Sequence, residues 1–207
     1  MKIKKIISLC KSAGKLILHS DPIRDIQWLS DGRAIFPLIG CPKFDEDSFC
    51  NTYEITDSQR KKIDFRIDEP LPLQFNFNDT DDYETETERM PLSVTYSTYD
   101  AVALKTQYGR IEFINRAHLH PFGDYSGRDI IYTLRTDELG DSYFAVKCGF
   151  MLICIVMPLK IITRSFISEL KAFERQVEVT FHNNENIPLD SPQIEMTEVI
   201  ADDSENG

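Results

Sequence analysis

The sequence contains none of the short motifs that mark the commonest enzyme classes. It has no glycine-rich loop to cradle phosphates, no dinucleotide-binding fingerprint, no helix with paired histidines and no Cys-x-x-Cys pair. Each motif sets particular atoms at the distances that its chemistry requires. Their absence favours a binding or scaffolding protein over an enzyme, and we expect no cofactor.

Long hydrophobic runs are also missing. The best apolar run, residues 150–159, has about ten residues, whereas a membrane-spanning helix needs about 20. Lys11 and Lys15 interrupt the apolar stretch that a signal peptide would need. The five cysteines are odd in number, scattered and mostly set among apolar residues, which indicates reduced thiols. We therefore expect a cytoplasmic protein with no membrane partner.

Basic residues are outnumbered, with 23 Lys and Arg against 34 Asp and Glu and a net charge of −11. Two acidic segments concentrate the excess: residues 79–88 hold six acids, and residues 183–207 hold seven acids and no Lys or Arg. Such runs repel themselves and indicate a solvated linker and tail. The carboxylates of residues 79–88 offer an alternative divalent-cation site, but their spacing does not match an ordered calcium loop.

One feature is present twice. Residues 26–49 and 143–166 each pass from a strand through a glycine turn to a second strand, a proline and a Ser-Phe pair. Ser and Phe follow the glycine by 16 and 17 residues in both copies. The pattern predicts a duplicated β-β-α unit. Matching core positions are then Trp28, Ile35 and Phe49 in the first copy and Ala145, Leu152 and Phe166 in the second.

The repeat and the acidic segments together predict an α+β protein with two related β-rich halves, each with antiparallel strands and a short amphipathic helix. The expected division is an N-terminal half at 1–69, a Pro/acidic linker at 70–91, a C-terminal half with a final helix at 92–182 and a disordered acidic tail at 183–207. Residues 150–157 are uniformly apolar and predict a strand buried on both faces.

Two helices carry the candidate nucleic-acid-binding residues. Residues 2–15 form an amphipathic helix pattern whose polar positions are strongly basic. The final helix, residues 162–177, has an apolar face and further basic residues outside it. The candidate set is Lys2, Lys4, Lys5, Lys11, Lys15, Arg164, Lys171 and Arg175. In the alternative interpretation these residues only solubilise two surface helices.

Candidate reactive groups are few. On a strand, His118 and His120 would share a face and could hold a metal ion with Asp124 or His19. The alternative is that both histidines end a strand at the surface and contact only water. Cys148 or Cys154 could pair with His118 as a nucleophile, but their apolar surroundings oppose a thiolate.

Two resemblances rest on these motifs. Residues 27–32, with Ala34, Ile35, Pro37 and Leu38, and residues 155–158 before a helix, resemble an uncharacterised protein family of Gram-positive phages and prophages, which implies no particular activity. The layout also resembles DNA sliding clamps, which are built from duplicated β-rich units, are acidic overall and line a central hole with basic helices. That resemblance implies that residues 2–15 and 162–177 supply the lining.

Three functions follow from these observations. The first is a non-enzymatic phage or prophage binding protein, in its most concrete version a clamp-like accessory of DNA replication that forms homo-oligomers. The second is a modulator of a host protein whose acidic segments imitate nucleic acid. The third is a metal-dependent hydrolase centred on His118 and His120. The expected partner is therefore a protein or DNA.

Overall fold

The structure is a computed structural model that describes residues 1–96, 98–125 and 130–185, without the side chains of residues 96, 99, 124, 125 and 183–185. The chain forms two units, Met1–Ile161 and Ile162–Gly207. The first unit holds a large sheet with helices, and the described part of the second is one helix. None of the helices in the described ranges combines the length and the hydrophobicity needed to cross a membrane.

The first unit begins with a helix and continues mainly as strands. Its helices are α1 (Ile3–Ala13), α2 (Glu46–Thr52), α3 (Asp57–Arg60) and a 3₁₀ helix (Arg116–Tyr125). Its strands are β1 (Lys15–Asp21), β2 (Ile26–Ser30), β3 (Ala34–Pro37), β4 (Asp64–Pro70), β5 (Thr85–Tyr96), β6 (Tyr99–Lys105), β7 (Ile111–Asn115), β8 (Ile130–Thr136), β9 (Ser142–Cys148) and β10 (Met151–Val156). The second unit contains α4 (Arg164–Glu185).

The ten strands form one sheet in the order β4-β1-β2-β3-β10-β9-β8-β5-β6-β7. Neighbouring strands are antiparallel except β1 and β4, which are parallel. The start of β5 pairs with β8, and the strand from Glu88 onward pairs with β6, with a change of register between Arg89 and Ser93. One long strand therefore connects two successive parts of the sheet. The α+β class expected from the sequence is confirmed.

The strands of the sequence repeat form two adjacent hairpins, β2–β3 and β9–β10. Their return strands, β3 and β10, pair with each other at the centre of the sheet. Ser30 pairs with Ile35 in the first hairpin, and Lys147 pairs with Leu152 at the matching positions of the second. A bulge after Leu152 then shifts the second hairpin by one residue. The two hairpins therefore share strand order and initial register.

The turns and inward positions of the hairpins also correspond. Gly32 and Gly149 adopt φ of 85° and 61°, a left-handed conformation that favours glycine. The matching positions Trp28, Ile35, Ala145 and Leu152 all belong to one hydrophobic cluster. The helical part of the repeat is not comparable in the same way, because Phe49 is buried in the first unit and Phe166 lies in the second. That equivalence stays a prediction.

The sheet carries a hydrophobic cluster on each face, since neighbouring strand residues point to opposite sides. The larger cluster contains Leu29 and Phe144 and is covered by α1 and α2. The smaller contains Trp28 and Tyr143 and is covered by the segment that follows β4. In that segment, the Phe77 ring lies 4.9 Å from the Trp28 ring between centroids.

Residues 70–91, expected as a linker between halves, lie inside the first unit. Their first part covers the smaller cluster, and their last residues begin β5. The boundary between units falls instead after Ile161. The segment does not separate two units, because its aromatic side chains and its bonds to two buried cations hold it on the sheet. Four of its six acids, Asp79, Asp82, Glu86 and Glu88, are nevertheless exposed.

Two further expectations need correction. Phe150 is 79% exposed and Met151 is 45% exposed, so burial on both faces holds only for residues 152–156. The Gly149 turn places the first two apolar residues at the end of the hairpin, where they meet water. In the second unit, α4 continues to Glu185, so residues 183–185 of the expected disordered tail are helical. The rest of that tail lies outside the described residues.

Candidate functional site

The structure does not assemble the metal site considered from the sequence. His118 and His120 lie on the 3₁₀ helix rather than on a strand, so they do not share a face: His118 is buried and His120 is exposed. His19 donates Nδ1–H to the carbonyl of Pro70 at 2.8 Å, and the Asp124 side chain lies outside the described residues. Across the described side chains, no three His, Cys, Asp or Glu residues form a group that could hold a metal.

His118 instead forms a buried pair with Asp31. Its Nε2 lies 2.8 Å from Asp31 Oδ2, and both side chains are 4% exposed. The other carboxylate oxygen, Asp31 Oδ1, accepts the backbone N–H groups of Arg33 and Ala34 at 2.8 and 2.7 Å. Burial alone would raise the Asp31 pKa, but the His118 bond and charge and the two backbone donors outweigh it and lower that pKa.

Two thiols near Asp31 are held protonated. Burial, and secondly the negative charge of Asp31, raises the pKa of Cys10 and of Cys154 well above the ordinary value for a thiol. Cys10 donates Sγ–H to the carbonyl of Ser30 at 3.5 Å. A Cys-His-Asp set is thus present in composition, but its charge arrangement opposes the thiolate that a nucleophile requires. This cluster links the β2–β3 turn to the 3₁₀ helix.

The acidic segment supplies a second buried ionic centre at Glu84. Glu84 accepts from Arg135 Nε at 2.8 Å and from Lys147 Nζ. The Arg135 side chain is 0% exposed and that of Lys147 is 7% exposed. Burial would raise the pKa of Glu84, but its bonds to the two cations outweigh this and lower it. The carboxylate expected to be solvated in a linker is therefore only 17% exposed and is bonded to two buried cations.

Arg135 also fixes the backbone of the segment in front of Glu84. Its Nη1 donates to the carbonyls of Asn76 and Asn78 at 2.8 and 2.9 Å, and its Nη2 donates to the carbonyl of Asp79 at 3.2 Å. The Asp79 carboxylate accepts the backbone N–H of Leu152 at 2.8 Å. These carboxylates serve internal contacts, so the divalent-cation alternative for residues 79–88 gains no support.

The lysines of α1, and Lys15 at the start of β1, remain at the surface. Ile6, Ile7 and Cys10 are the buried face of this helix, and it contains no acid. Lys4 and Lys5 are exposed, and Lys11 and Lys15 are half-buried. Across the part of the chain that the structure describes, no ion pair joins a carboxylate to any of these four lysines.

Local contacts position this lysine face, which we define as Lys4, Lys5, Lys11 and Lys15. Lys5 Nζ donates to the carbonyl of His120 at 3.2 Å, and the backbone N–H of Lys2 donates to the carbonyl of Pro121 at 3.0 Å. Gly14 ends the helix in the left-handed conformation, so the chain turns directly into β1 at Lys15. Lys4 and Lys11 border a shallow cleft that one carboxylate, Glu54, also lines.

The basic residues of α4 lie on a separate unit. Arg164, Lys171 and Arg175 are exposed, and helical geometry places them within about 40° of each other around the axis. The same helix exposes an apolar stripe, defined here as Phe166, Leu170, Phe173 and Val177, the last three of which are 50–62% exposed. The lysine face belongs to the first unit and α4 to the second.

Sequence reasoning missed the residues that organise both buried ionic centres. The sequence pattern places Asp31 only in a hairpin turn and gives Arg135 and Glu84 no role. One signal was present. Arg135 follows Thr133 by two residues on β8, so both side chains point to the same face of the sheet. An arginine without a partner would be costly on a buried face, so an arginine at this position indicates an acceptor nearby. Its partner could not be read from the pattern.

Comparison of the chain with protein-family models, with curated proteins and with solved structures gives no match.

Proposed function

We propose that the protein is a non-enzymatic macromolecule-binding protein that holds a polyanion, in the first place DNA, on the lysine face of α1. The observation that carries this proposal is the charge of the lysine face: the three lysines of α1, and Lys15 at the start of β1, have no carboxylate paired to them in the described part of the chain. This basic face stands in a protein whose net charge is −11. The lack of ion pairs to these lysines among the described residues leaves their ammonium groups able to contact phosphates.

The physical consequence is weak binding without sequence preference. Each ammonium that neutralises a phosphate releases condensed counterions, so affinity falls steeply as salt rises. The acidic remainder of the chain repels the same polyanion and restricts contact to this one face. Lysine ammonium groups act as point charges and do not read base edges in a fixed geometry.

The clamp-like replication accessory is the most concrete form of the proposal. It adds that Arg164, Lys171 and Arg175 of α4 contribute to the same lining, and that several copies form a ring, because one chain of this size does not encircle a duplex about 20 Å across. The exposure of all three residues is consistent with that role. A phage or prophage origin and a cytoplasmic location belong to this version.

The competing functions have less support. Glu84 and Asp79 are engaged inside the first unit, which weakens the idea that the acidic segment at residues 79–88 imitates nucleic acid for a host protein. The hydrolase would need His118 and His120 to act together, whereas His118 is closed off from solvent beside Asp31. Two thiols beside Asp31 are kept in the unreactive form.

The test is fluorescence anisotropy with a labelled DNA duplex across a salt titration. We expect wild-type binding at low salt that weakens with added salt. Lys4→Glu with Lys11→Glu should reduce both the affinity and the salt slope, by about 0.9 in log–log units for each phosphate that is no longer neutralised. The control is Lys105→Glu with Lys160→Glu, which changes the net charge equally at two exposed lysines outside the lysine face. Absence of wild-type binding, or equal weakening by both double variants, contradicts the proposal.

A further inference from the structure

A cleft beside the lysine face combines basic and aromatic groups. It lies between α1 and the end of α2. The residues that line it include Lys4, Ser8 and Lys11 on the first side and Thr52, Tyr53 and Glu54 on the second. Its volume of about 170 Å³ admits one flat group and not a duplex about 20 Å across. Any part of a nucleic acid that enters the cleft is therefore as small as a single base.

Tyr53 supplies the aromatic wall of the cleft. It directly follows α2, and its half-buried ring packs on Phe44 and Phe49, with ring centroids 5.6 and 4.9 Å away. These contacts fix the orientation of the ring. A ring that is already fixed loses little freedom when a second flat group stacks on it. Tyr53 therefore offers a rigid surface to a planar ligand.

The charges around the cleft favour a nucleobase inside it and phosphates at its border. Lys4 and Lys11 are seven residues apart, so they lie on one face of α1 and about 10 Å apart along its axis. Their flexible side chains can reach phosphates on either side of one nucleotide. Glu54 lines the cleft between them and repels a phosphate placed inside it, but it does not repel an uncharged base.

An unpaired base fits this arrangement better than a paired one. In a duplex each base is stacked between its neighbours, and it would have to be pulled out of the helix to reach Tyr53. The bases of a single strand are accessible, and they stack on aromatic side chains whatever their identity. The hydroxyl groups of Ser8 and Thr52 can each donate to or accept from the edge of any base.

We propose that this cleft binds an unpaired nucleotide, with its base on Tyr53 and its flanking phosphates on Lys4 and Lys11, so that the lysine face prefers single-stranded to double-stranded DNA. This inference rests on the proposed function, DNA binding by the lysine face, and adds which form of DNA is bound. The direction of the preference is informative. Lysines alone favour a duplex, because its higher charge density releases more counterions, and a stacked base reverses that order.

The experiment compares the fluorescence anisotropy of a labelled single strand of mixed sequence with that of its duplex. Tyr53→Leu removes the aromatic surface and keeps an apolar side chain. The matched control, Tyr108→Leu, makes the same change at a tyrosine that is 79% exposed and outside the cleft. We expect wild type to bind the strand about threefold more tightly than the duplex. Tyr53→Leu should weaken strand binding by about tenfold and duplex binding by less than about twofold, and Tyr108→Leu should change neither.

The outcomes separate this inference from the proposed function. If wild type binds the duplex at least as tightly as the strand, or if Tyr53→Leu and Tyr108→Leu have equal effects on strand binding, the inference is overturned and DNA binding by the lysine face stands. If wild type binds neither form, both are overturned.

A cross-link in the unmodified chain does not depend on the folding of any variant. Under ultraviolet light, a strand that carries bromouracil in place of thymine becomes attached to a side chain in contact with that base. We expect the attached peptide to contain Tyr53. No attachment, or attachment only at peptides without Tyr53, overturns the inference.

Discussion

Replacing Arg135 with methionine tests how the acidic segment is held on the sheet. Arg135 is fully buried, donates to Glu84, and donates to three backbone carbonyls of residues 76–79. Methionine fills much of the same volume but offers no donor. The substitution leaves Glu84 with Lys147 as its one remaining cation and with the Thr133 hydroxyl, which donates to it at 3.2 Å. It also leaves the three carbonyls without their charged partner. Removing one member of a buried ion pair costs about 3–5 kcal/mol.

This loss is large against a total stability of about 5–15 kcal/mol for a domain. With a urea dependence of about 2 kcal/mol per molar, it lowers the unfolding midpoint by roughly 2 M. Trp28 is the single tryptophan and packs against Phe77 of the held segment, so its emission reports on the segment directly. We expect a red shift of that emission under native conditions in Arg135→Met.

The matched control is Arg110→Met. Arg110 forms an ion pair with Glu112 at 2.7 Å, but its side chain is 73% exposed. Exposed pairs contribute about 0–1 kcal/mol, so this variant should unfold close to wild type with unchanged Trp28 emission. If Arg135→Met loses no more stability than Arg110→Met and keeps the wild-type emission, Arg135 does not hold the segment and the reasoning is refuted.

Two further predictions concern histidines. His118→Ala should lower the free energy of unfolding in urea by about 3–5 kcal/mol, because it leaves the Asp31 carboxylate buried without its partner. His120→Ala, at the surface, should change it by less than about 0.5 kcal/mol. Equal effects of the two substitutions would contradict the buried pair. Burial lowers the pKa of His19 from its ordinary value of 6.5. On acidification the unfolded chain therefore binds a proton at this histidine before the folded chain does. The stability of the fold should fall as the pH drops below about 6.5. His19→Asn, which retains a donor for the carbonyl of Pro70, should flatten that decline, and parallel pH profiles for the two proteins would count against it.

Local patterns in the sequence determined most of the elements. Apolar residues at helical spacing predicted α1, which Gly14 ends in the left-handed conformation. Alternation and the Asp31-Gly32 turn predicted the first hairpin, and the repeated spacing predicted that the second would match it. These features depend on residues close together in the chain, where backbone geometry and side-chain period act directly.

Tertiary structure alone decided which charged groups are removed from water and which groups they bond to. Asp31 meets His118 across 87 residues, and Glu84 meets Arg135 and Lys147 across 51 and 63 residues. In the sequence these residues look like a turn, a linker and two strand positions, because a carboxylate without a partner belongs in water. The fold supplies each carboxylate with donors from distant strands or a distant helix. Asp31 is therefore buried and Glu84 mostly covered, although local composition assigns both acids to the surface.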